Sequence, residues 1–83
     1  MLYMVEVKYT QEHRDAALAY FQKHGITHYD GSLVVKGLWV STIERTAYVL
    51  VDATDPAEVA SVCESLEQFG KVESRAVITG DEL

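Results

Sequence analysis

The hydrophobic pattern of this chain changes period in a fixed order, and that order leaves few folds open. Residues Leu2–Tyr9 alternate, with Tyr3, Val5, Val7 and Tyr9 on one side and Leu2, Met4, Glu6 and Lys8 on the other, the period of a half-buried strand. Thr10 can cap a helix over residues 11–24, rich in Ala, Leu, Gln, Glu and Lys, with Ala17, Leu18 and Phe21 as its buried stripe and Tyr20 on the flank. Gly25 ends that helix, and residues 25–32, with Asp30-Gly31, read as a loop. Residues 33–40 and Thr46–Asp52 are β-branched and apolar apart from Lys36, and the polar 41–45 segment makes them a hairpin. Asp55-Pro56-Ala57-Glu58 then supplies a capping carboxylate, a proline at the first helical position and a glutamate at the third. Val59, Val62, Cys63, Leu66 and Phe69 follow at helical spacing up to Gly70. Residues 71–79 alternate again, Val72, Ser74, Ala76 and Ile78 facing in and Glu73, Arg75 and Val77 facing out, and the last four residues read as a polar tail.

The string is βαββαβ. With each βαβ half crossing over right-handedly, its economical topology is a ferredoxin-like α+β sandwich: a four-stranded antiparallel sheet, order 4-1-3-2, with two helices on one face. In the hairpin, pairing Trp39 opposite Ala47 groups Val35, Gly37, Trp39, Ala47, Val49 and Val51 on the core face and keeps the Lys36 ammonium out of it. Gly37, inside a strand pattern, marks a bulge or a close approach. Met4, Glu6, Lys8, Leu38, Val40, Tyr48, Leu50, Arg75 and Val77 then lie on the helix-free face, which is too apolar to be simply wet.

Eighty-three residues hold one core, so residues 1–83 read as a single domain, and one of marginal stability. The lone Cys63 excludes an internal disulfide, which favours a homo-oligomer and, with no signal-peptide pattern at the start, a reducing cytoplasm. A net charge of −6 and no basic patch argue against nucleic acid, and no apolar stretch approaches the ~20 residues a membrane span needs. The acidic excess is spread along the chain and serves solubility.

The opening strand, Glu12-His13-Arg14-Asp15 at the start of the first helix, Lys36-Gly37-Leu38-Trp39, and Asp52-Ala53-Thr54-Asp55-Pro56 before the second helix carry a resemblance along nearly the whole chain. In these the sequence resembles a family of short bacterial proteins of unknown function with the ferredoxin-like fold, related in shape to the dimeric α+β barrel group. The resemblance implies a back-to-back dimer, pockets lined by sheet and helix, and no assigned activity. Such proteins have a Pro-rich loop where this chain has residues 25–30, and an arginine before the tryptophan where it has Leu38, so no role for that arginine passes to it.

Among residues able to carry chemistry, His24, His28 and Asp30 have the types of a metal site, but Gly25 and Thr27 break the helix that would align them, and no metal is expected. His13 and Arg14 could serve as a general acid and an anion clamp at the end of the first strand, against the plainer reading of solvated helix-start residues. Cys63 lies on the apolar stripe of its helix and reads as core packing. Glu6, Lys8, Tyr48 and Arg75 are the polar members of the open face, suited to orient a ligand or to form cross-strand ion pairs in a dimer interface, and Trp39 is either a core anchor or a stacking platform. No glycine-rich phosphate loop or catalytic triad pattern is present. The expectation is a cofactor-free homodimer that binds or senses a small organic molecule through His13, Arg14, Trp39, Tyr48 and Arg75, dimerising through the open sheet face. The alternatives are a small cofactor-free enzyme, a monooxygenase or isomerase, using His13, Tyr48 or Trp39, or a purely structural or protein-interaction domain.

Overall fold

In a computed structural model, which describes residues 1–24 and 33–83, the elements follow the order the periodicities predict. Strand β1 is Leu2–Tyr9, helix α1 Arg14–His24, β2 Val34–Ser41, β3 Thr46–Asp52, α2 Pro56–Leu66 and β4 Gly70–Val77. Short 3-10 turns occupy Glu67–Phe69 and Gly80–Glu82. The four strands form one antiparallel sheet in the order β2-β3-β1-β4, the ferredoxin-like topology expected, with β1 and β3 central. The loop expected at residues 25–32 lies outside the described residues, and with it His28 and Asp30 of the metal reading.

The core sits between the sheet and the helices. Val5, Val7 and Tyr9 of β1 and Ala47, Val49 and Val51 of β3 are buried with Ala17 and Phe21 of α1 and Val59, Val62 and Leu66 of α2. Phe69 joins them from the turn after α2, tilted against Tyr20 at 5.2 Å between ring centroids, an ordinary aromatic packing geometry. Cys63 is a free thiol, half-buried and packed against this core as its place on the stripe suggests. The Asp55 carboxylate caps α2 by accepting the Ala57 N–H at 2.9 Å, with Pro56 in the first turn, as the motif predicts. Glu58 accepts the Leu33 N–H at 3.1 Å and so ties α2 to the start of β2.

The structure corrects several expectations. Helix α1 starts at Arg14 instead of residue 11, because Thr10 closes a separate turn first: its carbonyl and its Oγ1 both accept the His13 N–H, at 3.1 and 3.2 Å. Strand β4 ends at Val77, which leaves Ile78 exposed, and the chain then turns at Gly80–Glu82 where a plain tail was expected.

The largest correction is the hairpin register. Val35 pairs with Val51 but Gly37 with Leu50, so Lys36 is an extra residue in a β-bulge, and from there Trp39 lies opposite Tyr48, not Ala47. A bulge reverses the alternation downstream of it. Gly37 and Trp39 therefore turn to the helix-free face, while Leu38, opposite Val49, packs against the core, and Val40 pairs with Ala47. Trp39 is not a core anchor: it is 55% exposed. The chain does keep the Lys36 ammonium in water, by a bulge and not by the expected register.

Candidate functional site

Residues paired directly across antiparallel strands share a face, so the register defines the helix-free surface row by row. One row is Val34, Asp52, Leu2 and Val77; the next is Gly37, Leu50, Met4 and Arg75. The third is Trp39, Tyr48, Glu6 and Glu73, and the last is Ser41, Thr46, Lys8 and Lys71. The first two rows are mostly apolar and the last two carry aromatic, hydroxyl and charged groups. Among the described residues no helix covers this face.

Trp39 is held there by Gly37. A Cβ on Gly37 would come within 2.5 Å of Trp39 Cη2, so the indole folds back along β2 into space that only glycine leaves. Beside it Tyr48 is half-buried, and beside Tyr48 the Glu6 carboxylate is only 18% exposed. Arg75 donates to Glu6 Oε2 at 3.3 Å and to Glu73 Oε2 at 3.2 Å, bridging two carboxylates that face each other across β1 and β4. Without that guanidinium, two like charges directly opposite would repel. The Met1 ammonium donates to Asp52 Oδ1 at 2.9 Å at the other end of the face, and this hydrogen bond holds the Asp52 carboxyl below its ordinary range.

At the charged end lies a cleft of about 340 Å³, lined by Glu6, Lys8, Glu44, Thr46 and Tyr48. Glu44 arrives from the turn between β2 and β3, which is shaped by Glu44 N–H donating to Ser41 Oγ at 3.3 Å and by Arg45 in the left-handed region at φ 53°. The Arg45 carbonyl accepts the Tyr9 N–H at 3.0 Å, fastening this turn to the end of β1. Thr46 Oγ1 donates to the Glu44 carbonyl at 3.1 Å. Sequence reasoning found Glu6, Lys8 and Tyr48 from their alternation; it missed Glu44, since no periodicity marks a turn residue that folds back beside a strand, and passed over Thr46, which alternates with Tyr48 at the start of β3.

Of the five expected site residues, the structure brings Trp39, Tyr48 and Arg75 onto one face and leaves His13 and Arg14 apart from them. Those two stand where α1 begins, in the helix layer, with local partners: Thr10 Oγ1 lies 2.7 Å from His13 Nδ1, and Arg14 donates to Asp15 Oδ1 at 3.2 Å. Of His13, Tyr48 and Trp39, only Tyr48 is among the residues that line the cleft. Among the described residues no group of three His, Cys, Asp or Glu side chains could hold a metal ion, and no helix is long and apolar enough to cross a membrane.

Fold and face together define a ferredoxin-like α+β sandwich with one sheet face uncovered among the described residues. Its architecture is similar to that of an uncharacterized NIPSNAP domain protein from Burkholderia xenovorans, known from a crystal structure: the TM-score is 0.58 and the identity 17%, over 95% of this chain and 94% of that one. At that identity the likeness shows the fold alone. The chain belongs to the family described as a domain of unknown function (DUF3303), whose model matches residues 1–83. No curated protein matches it.

Proposed function

We propose that residues 1–83 act as one cytoplasmic domain that works as a homodimer, sheet face against sheet face, and binds or senses a small organic molecule at the polar end of that face. The observation that carries this reading is the composition of the helix-free surface. Leu2, Met4, Leu50 and Val77 sit together half-buried, with Trp39 and Tyr48 alongside, on a face no described helix covers. Apolar surface of this kind gains roughly 25 cal/mol for each Å² taken from water, and a second copy brings the same surface to the contact.

Sedimentation equilibrium on the untagged protein tests the assembly. The expected result is a dimer, converted by Leu50→Glu to a folded monomer, because an unpaired carboxylate in the middle of the contact is costly to desolvate. A wild-type protein that stays monomeric at high micromolar concentration overturns the reading.

A further inference from the structure

We propose that the cleft lined by Glu6, Lys8, Glu44, Thr46 and Tyr48 is a binding site for a small zwitterion of the free α-amino acid kind, carrying an ammonium, a carboxylate and an apolar side chain. The proposal rests on the small-molecule reading above and names the class of molecule.

Two of the cleft's polar side chains are already satisfied within the fold. Glu6 is anchored by Arg75, and Thr46 Oγ1 is engaged with the Glu44 carbonyl. The Lys8 ammonium, the Glu44 carboxylate and the Tyr48 hydroxyl have no hydrogen-bond or ion-pair partner among the described residues. Lys8 and Glu44 therefore line one cleft with opposite charges and do not pair with each other.

A ligand of one sign meets a penalty here. A simple anion that reaches Lys8 also faces Glu44 and the Glu6 carboxylate, and a simple cation that reaches Glu44 faces Lys8. A zwitterion leaves neither unpaired: its carboxylate accepts from Lys8 Nζ and the Tyr48 hydroxyl, and its ammonium donates to Glu44, with Glu6 adding negative potential. The balance sharpens when a second sheet lowers the local dielectric, because unpaired buried charge is then more costly. The cleft volume lies at the low end of the ~300–1,000 Å³ typical of ligand sites, which suits a molecule of this size. The Tyr48 ring offers apolar surface to its side chain.

The test is an NMR titration of the isotope-labelled protein with three probes: L-phenylalanine, N-acetyl-L-phenylalanine, which lacks the ammonium, and L-phenylalaninamide, which lacks the carboxylate. The expected result is that phenylalanine binds with Kd tighter than about 1 mM, shifting the amide signals of Lys8, Glu44, Thr46 and Tyr48, and that each derivative binds about tenfold or more weakly. Lys8→Gln should weaken phenylalanine by a similar factor but tighten the amide, a cation that no longer faces the Lys8 ammonium; Glu44→Gln should weaken phenylalanine likewise but tighten the acetylated probe, an anion that no longer faces the Glu44 carboxylate. Both substitutions are on the surface, and the variant spectra report whether the fold is retained. No shift at those residues, or three probes bound equally, overturns the proposal. Sedimentation of the same samples separates the two ideas: a monomer that still discriminates the probes overturns only the dimer, and a dimer that does not discriminate them overturns only the zwitterion site.

Discussion

Gly70 is fixed by a close approach. A Cβ there would collide with the carbonyl oxygen of Lys8, because Tyr9 and Gly70 pair directly where β4 begins against the end of β1. Backbone cannot move aside as a side-chain tip can, so Gly70→Ala should cost roughly 2–3 kcal/mol in urea unfolding, near the upper range for overpacking. Tyr9 presents the opposite case. Its hydroxyl is buried with no hydrogen-bond partner among the described residues, so it carries a desolvation cost without return. Tyr9→Phe should therefore raise stability by about 1 kcal/mol, and a lower urea midpoint for that variant would show that the hydroxyl is satisfied after all.

Among the elements, β2 teaches most. Its bulge leaves Lys36 without a partner on β3, and it is the bulging of this residue, in place of pairing, that sends the indole to the helix-free face. Deleting Lys36 should leave a regular ladder with the pairs already present, Val35 to Val51 and Gly37 to Leu50, so the variant is expected to fold with Trp39 still opposite Tyr48. Cross-strand NMR contacts check this, and contacts from Trp39 to Ala47 would contradict it. The same element marks how far the sequence could be read. Strands β1 and β3, the stripe of α2 and its Asp55 cap were legible because each is a local pattern with one period or one motif. The bulge was not, since Lys36 can avoid the core either by register or by insertion, and alternation alone cannot choose. Gly37 signalled a bulge or a close approach, and both occur there. The candidate site was half legible for a related reason: Glu6, Lys8 and Tyr48 belong to strands, whereas Glu44 reaches the cleft only through the shape of its turn.

For the whole molecule, the proposed dimer links folding to concentration. If each sheet is stabilised by a second copy, Tm should rise as protein concentration is raised a hundredfold, while Leu50→Glu should melt at one temperature throughout; calorimetry distinguishes the two. The bulge has a further consequence at this scale. A four-stranded sheet ends in two borders, each a row of backbone groups on which a foreign strand could grow. Here one border, β2, carries a bulge at Lys36, and the other, β4, bears three charged side chains, Lys71, Glu73 and Arg75, on the helix-free face. Both are poor templates for end-on polymerisation, so a protein of this design can bring its broad surfaces together without seeding fibres.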